Sequence, residues 1–225
     1  MKNGAIFLHI PKTGGTWVEK VLHKLDLIEK SYRHEHADME HILYPHSYRE
    51  ALDWVTRTTI RKLRGLDTFP ATPLTFCFVR HPLSWYESWW SFNSDRGWPY
   101  WGDLGNLNKW HPNAELNGLG NCDFNQFIER VLTRYPGYVT QLYARYTGLG
   151  CNISYIGKQE SLNDDLSAIL SKMGLVIDHN IIYEEEKTNV SNRHREAIQW
   201  DENLKKEVLL CEYPTLKRFG YSNDK

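Results

Sequence analysis

The 225-residue chain predicts an α/β fold, a three-layer α/β/α arrangement around a central parallel sheet, and three observations carry that reading. Short apolar runs alternate with longer stretches of helical period. The first such run passes straight into a glycine turn and then a helix. The strongest run, Leu74–Val79 (Leu-Thr-Phe-Cys-Phe-Val), is continuous and rich in β-formers, as suits a strand covered on both faces. No repeat, low-complexity tract or linker divides the chain, so residues 1–225 read as a single domain with a Trp-rich insertion or loop at about 95–121.

In order, Ala5–Ile10 predicts a buried strand that ends at Pro11 and the Gly14-Gly15 pair. Thr16–Leu27 follows as a helix, with Trp17, Val18, Val21, Leu22 and Leu25 near a helical period. Ser47–Leu63 predicts a second helix, with Ala51, Trp54 and Val55 on one face. After Leu74–Val79, Pro82 suits the first turn of a helix running to about Asn93. Asp95–Asn121 is irregular and long for a connection, and its aromatic residues suit a pocket wall at least as well as a core. Asp123 suits an N-cap for a helix over Phe124–Leu132, and another helix is expected at Tyr138–Tyr146. Ile153–Gly157 predicts a third strand, and Ser161–Met173 an amphipathic helix that stops at Gly174. Ile181–Glu186 predicts a short strand or extended connection, and Asn192 onward a helix interrupted near Pro214.

A formal net charge of −1 excludes a global pull toward nucleic acid or an anionic membrane, so any anion site must be local. No apolar run is long enough to span a bilayer. Met1-Lys2-Asn3-Gly4 enters the first strand without a signal-peptide pattern, and Cys77, Cys122, Cys151 and Cys211 are scattered with no Cys-x-x-Cys pair. A cytoplasmic, reducing location is therefore expected, with neither a disulfide framework nor a zinc site.

Chemistry concentrates first at Pro11-Lys12-Thr13-Gly14-Gly15-Thr16. The first amides of a helix lack intrahelical partners, and the helix dipole favours negative charge there. Two glycines let the backbone close around an anion, Lys12 adds a full charge, and Thr13 and Thr16 add hydroxyls. A glycine pair alone would do no more than shape a turn. The turn is not a Walker A loop, because Lys12 precedes the glycines and no Gly-Lys-Ser/Thr occurs, which disfavours a magnesium-dependent kinase or NTPase.

His9-Ile10-Pro11-Lys12-Thr13-Gly14-Gly15-Thr16 resembles the 5′-phosphosulfate loop of sulfotransferases that use 3′-phosphoadenosine 5′-phosphosulfate (PAPS), in their carbohydrate and bacterial branch. Phe78-Val79-Arg80-His81-Pro82-Leu83-Ser84-Trp85-Tyr86-Glu87-Ser88 is similar to that family's 3′-phosphate motif, with Trp85 where relatives often carry a second Arg. Weaker likenesses follow at Tyr155–Leu162 and at Thr188-Asn189-Val190-Ser191, so the resemblance spans about residues 5 to 222. It implies a P-loop-like sulfotransferase fold, PAPS as donor, 3′-phosphoadenosine 5′-phosphate (PAP) as product and no metal. It also implies donor binding by Lys12, Thr13, Gly14, Gly15, Thr16, Arg80 and Ser88. The implied partner is a hydroxyl-bearing small molecule or carbohydrate.

Sulfuryl transfer to an alcohol requires a base for the acceptor's proton, and neutralisation of the departing phosphate, a role that falls to Lys12. Arg33-His34-Glu35-His36-Ala37-Asp38-Met39-Glu40-His41 lies between the two motifs, where relatives carry a His or Glu. His36-Ala37 resembles the family's segment there, so His36 is the expected base, with His34, Glu35 and His41 as alternatives. His34 and His36 could share a metal, but the spacing is not His-Glu-x-x-His. His9, inside the strand, is expected to be packed and hydrogen-bonded rather than to act as base. Two other readings stay open, a diverged P-loop nucleotide kinase and a non-catalytic PAPS- or PAP-binding relative.

Overall fold

A computed structural model describes residues 1–31, 34–43, 55–56, 59–60, 64, 73–103, 109–148, 153–186 and 196–223. The strands are β1 (Ile6–Leu8), β2 (Thr75–Val79) and β3 (Tyr155–Lys158). The helices are α1 (Gly15–Lys24), α2 (Met39–Leu43), α3 (Pro82–Ser94), α4 (Phe124–Arg134), α5 (Tyr138–Thr147), α6 (Leu162–Lys172), α7 (Asn180–Glu184), α8 (Glu202–Cys211) and α9 (Tyr213–Phe219). Single 3-10 turns lie at Pro112–Leu116 and Gln159–Ser161. No helix among the described residues is long and apolar enough to cross a membrane.

The three strands form one parallel sheet in the order β1-β2-β3, with Leu8 beside Cys77 and Cys77 beside Ile156. All five residues of β2 are buried, as the unbroken apolar run requires of a central strand. Successive side chains of a strand point to opposite faces. Cys77 and Val79 accordingly join Leu8 and Ile10 in a core with Trp85, Trp89, Phe127, Tyr138, Tyr143 and Val208. Phe76 and Phe78 join a second core with Trp17, Val18, Val21, Leu22, Leu166, Leu170 and Ile182.

Local chemistry explains where the helices begin. Asp123 Oδ1 accepts from the Gln126 amide to start α4, and Asp201 Oδ1 accepts from the amides of Asn203 and Leu204 to start α8. Helix α5 begins after Gly137 with no cap of its own side chain. Glu212, between α8 and α9, supplies one from a distance: its carboxylate accepts from the Val139 amide, the Thr140 amide and the Thr140 hydroxyl, and also from the Tyr86 hydroxyl.

The structure departs from the sequence expectation in two places. Ile181–Glu186 is not extended. Asp178 Oδ1 accepts from the Asn180 amide and starts the single turn α7, which buries Ile182 and leaves Tyr183 exposed. The C-terminal helix begins at Glu202 instead of Asn192, since Asp201 is the residue that caps it; residues 192–195 lie outside the description. Of the helix expected at Ser47–Leu63, only Val55, Thr56, Thr59 and Ile60 are described, and these are helical. The weaker motif at Thr188–Ser191 also lies outside the described residues.

The Trp-rich stretch is tied down by its polar atoms. Trp101 Nε1 donates to Asn93 Oδ1 at 2.7 Å, the Trp101 amide donates to Asn117 Oδ1 at 2.8 Å, and Trp90 Nε1 donates to the Asn121 carbonyl at 2.9 Å. Trp98 lies over Phe127, and Gly120 is needed because a Cβ there would sit 2.2 Å from the Trp98 ring.

Candidate functional site

The turn between β1 and α1 is shaped by backbone that few residues tolerate. Lys12 has φ +66° and Gly14 φ +90°, both left-handed, and a non-glycine residue held there signals a locally imposed conformation. A Cβ on Gly15 would lie 1.9 Å from the His9 ring, so the start of α1 approaches His9 as closely as it does only because residue 15 is glycine. Trp85 secures the turn from beneath: its buried indole N–H donates to the Pro11 carbonyl at 2.9 Å. The position where relatives often place an Arg is thus a core residue that braces the loop.

The turn, the end of β2 and α3 share one cavity of about 240 Å³. Its lining includes Lys12, Gly14, Gly15, Thr16, Arg80 and Ser88 among the expected donor-binding residues. Thr13 is not brought into that lining, and its buried hydroxyl donates to the Ile10 carbonyl at 2.9 Å. Arg80 follows β2, and the Tyr143 phenol both accepts from its amide (2.9 Å) and donates to its carbonyl (2.8 Å). Its guanidinium reaches across to the Lys12 carbonyl at 3.4 Å, while Nε is buried with no partner among the described residues.

Lys12 Nζ stands 3.8 Å from the centre of the Phe92 ring, and the Arg96 guanidinium 3.7 Å from the same ring. Burial, reinforced by the neighbouring charges of Arg80 and Arg96, pushes the Lys12 ammonium down to about 7. Neither Lys12 nor Arg80 forms an ion pair among the described residues.

Of the four candidate bases, His36 and Glu35 line this cavity. His34 lines a neighbouring, smaller hollow, and His41 is engaged by Asp38 at 2.6 Å and lies against Trp110. His36 Nδ1 is 2.9 Å from the His9 carbonyl. A carbonyl only accepts, so Nδ1 carries the proton and Nε2 keeps its lone pair. Burial, with His9 adding to it, pushes His36 down to about 3, so the ring is neutral. The backbone of His36 is held as well, its carbonyl accepting from the Tyr146 hydroxyl at 2.6 Å.

His9 is buried, as expected, and its Nδ1 is 3.3 Å from a carboxylate oxygen of both Glu19 and Glu35. Folding also gathers His9, Glu35 and His36 with ligand-type atoms within 4.8 Å of one another. The spacing of these residues in sequence gave no sign of that grouping. The hydrogen bond from His36 Nδ1 to a carbonyl leaves only Nε2 of that ring for any further partner.

Phe92, His111 and Gln159 line the cavity without having been singled out from the sequence, and Trp89 was noted only as one of a cluster of Trp residues. Trp101 was flagged only as part of an aromatic-rich stretch, and it too lines the cavity. His111 meets His36 edge-to-face at 5.1 Å and lies against Trp101 at 5.3 Å. Burial pushes it down to about 4. The usable signal was His111-Pro112, which repeats the pairing of His81-Pro82 at the start of α3.

No curated protein and no solved structure matches the chain. A family model described as the sulfotransferase family matches residues 1–219, almost the whole length, and the chain belongs to that family.

Proposed function

We propose that the cavity binds PAPS and transfers its sulfuryl group to an acceptor hydroxyl, with His36 as base. The observation that carries this reading is the convergence of two cations that form no ion pair among the described residues. Lys12 on the β1–α1 turn and Arg80 at the end of β2 line one cavity, with the guanidinium 3.4 Å from the Lys12 carbonyl. Partly buried cations that touch no carboxylate directly among the described residues suit a bound anion, and the orphaned Nε of Arg80 suits a phosphate oxygen. In this reading the 5′-phosphosulfate meets Lys12, Gly14, Gly15 and Thr16, and the 3′-phosphate meets Arg80 and Ser88.

The step balances as an in-line displacement. The acceptor oxygen forms a new bond to sulfur, its proton passes to His36 Nε2, and the bond from sulfur to the 5′-phosphate oxygen breaks with its electrons leaving on PAP. Lys12 offsets the charge that develops on that phosphate. No metal or redox cofactor enters this scheme. The two cores that divide the β2 side chains are read as the flanks of a three-layer α/β/α domain, single and P-loop-like. A cytoplasmic, reducing location belongs to the same proposal, on the scattered cysteines of the sequence. A carbohydrate acceptor is preferred, as the branch resemblance implies, and Trp89 and Trp101 line the same cavity as His36.

The test is thermal. PAP without metal is expected to raise the melting temperature, and Lys12→Ala or Arg80→Ala to abolish the rise. A shift with ATP and magnesium but none with PAP would favour a kinase and sink the proposal. PAP binding with no loss of sulfuryl transfer to any acceptor in His36→Ala would remove His36 as base.

A further inference from the structure

The cavity presents a second histidine whose proton is placed the opposite way. His111 Nδ1 accepts from the Asn113 amide at 3.1 Å, capping the turn Pro112–Leu116. Nδ1 therefore carries the lone pair, and the proton of the neutral ring sits on Nε2. The same device occurs at the other His-Pro pair. His81 Nδ1 accepts from the Leu83 amide, and its Nε2 faces an obligatory acceptor, the Ser222 carbonyl, at 3.2 Å. His81 has thus found the partner that a proton on Nε2 requires. His111 Nε2 has none among the described residues, although its ring lines the cavity.

Two neutral rings thus meet edge-to-face at 5.1 Å in one cavity, His36 with a lone pair on Nε2 and His111 with a proton there. Their burial supports both neutral states. The ring plane of His111 is held by Trp101 and Trp89, inclined to it by 35° and 31°. Trp89 adds a buried indole N–H that also lacks a partner among the described residues.

We propose that His111 Nε2–H binds a second oxygen of the acceptor, adjacent to the hydroxyl whose proton goes to His36, so that the site selects acceptors with neighbouring oxygens over isolated alcohols. This rests on the sulfuryl-transfer reading above. The attacking oxygen gives one lone pair to sulfur and its proton to His36. A further hydrogen bond donated to that same oxygen would draw electron density away from the nucleophile. A neighbouring oxygen can accept it at no such cost. His111 exchanges no proton in the step.

The experiment uses the full chain with PAP and two matched probe pairs, trans-1,2-cyclohexanediol against cyclohexanol and catechol against phenol. Nitrogen-15 spectra of the histidine rings at pH 7 should show His36 protonated on Nδ1 and His111 on Nε2. In the PAP complex, the diol and catechol should perturb His111 Nε2, and the mono-alcohols should not. With PAPS as donor, kcat/KM should favour the neighbouring-oxygen member of each pair by about tenfold or more. His111→Asn keeps an acceptor for the Asn113 amide and His111→Phe keeps the ring, and either should bring the ratio near one, mainly through KM. A proton on His111 Nδ1, equal response or no response to both members of each pair, or a preference that survives His111→Asn would overturn the proposal. Loss of the PAP-induced thermal shift in the parent chain would instead strike at the donor reading, and the ring tautomers would still be measurable.

Discussion

His36 donates from Nδ1 to the backbone carbonyl of His9, which itself sits at the foot of the β1–α1 turn, at 2.9 Å. The proposed base and the proposed donor loop are thereby joined through one main-chain atom. Tyr146 completes the restraint by donating to the carbonyl of His36. Removing the imidazole in His36→Ala is expected to cut kcat by about 10²- to 10⁴-fold with PAP affinity nearly unchanged. Tyr146→Phe, which loosens His36 without removing it, should lower kcat by about tenfold or less and leave the PAP-induced thermal shift intact. Steady-state kinetics beside PAP titrations separate the two effects.

Donor binding should take up a proton at mildly alkaline pH. The Lys12 ammonium in the free protein is pushed down to about 7, whereas an anionic ligand favours its charged form. Calorimetric titration with PAP at pH 8, in buffers of differing ionisation enthalpy, should reveal uptake of close to one proton. At pH 6 Lys12 is already charged and uptake should be near zero. Lys12→Arg, charged throughout, should abolish the uptake at pH 8, and an unchanged value would assign the proton elsewhere.

Acid should weaken the fold through the two neutral histidines. Both are pushed below the ordinary histidine value of about 6.5, His36 to about 3 and His111 to about 4. The unfolded chain therefore binds more protons than the native one between about 6.5 and those values. Their stabilising contribution is full above about 6.5 and is lost as the pH falls through the folded values. Melting temperatures followed from pH 7.5 to 4.5 should decline less steeply in His36→Asn than in the parent chain.

Gly15→Ala tests the closeness of the turn to β1. The new Cβ would lie 1.9 Å from the His9 ring, which must move and take with it its contacts to Glu19 and Glu35. The PAP-induced shift should fall sharply, while far-ultraviolet circular dichroism stays close to that of the parent.

Glu212→Ala should be costly to the fold without touching the cavity lining. It strips the buried amide of Val139 and the partly buried amide of Thr140 of their acceptor at the start of α5. Leaving such donors unsatisfied costs about 2–4 kcal/mol in total. For a chain of this size that corresponds to a melting temperature lower by about 5–15 °C.

The sheet and the Lys12–Arg80 side of the cavity were legible because their causes are local. A continuous apolar run suits a covered strand, Pro82 suits the opening of a helix, and a Lys before two glycines after a strand marks a tight turn into the next helix. The aromatic side was not legible in the same way. Phe92 and Trp89 lie on a helix where aromatic residues usually serve the core, and only the packing of α3 against the turn brings Phe92 beneath Lys12. His111 is separated from His36 by 75 positions, and nothing in either segment announces the other. Thr13 shows the converse: its residue type suits an anion, yet the left-handed turn directs its hydroxyl to Ile10. The segment Ile181–Glu186 misled because three bulky residues in a row look extended, while the bonds that fold the chain into a turn run from the Asn180, Ile181 and Ile182 amides back to Asp178 and His179.

The phenol of Tyr143 grips both main-chain groups of Arg80 while its ring lies in the core with Leu8, Cys77 and Val79. One side chain therefore serves two masters, the integrity of the interior and the aim of a guanidinium. Variation that repacks α5 will be felt at the cavity as a shifted guanidinium, even when the change itself lies in the interior. A chain built this way can vary its aromatic wall by local substitution, but the setting of Arg80 is inherited with the core.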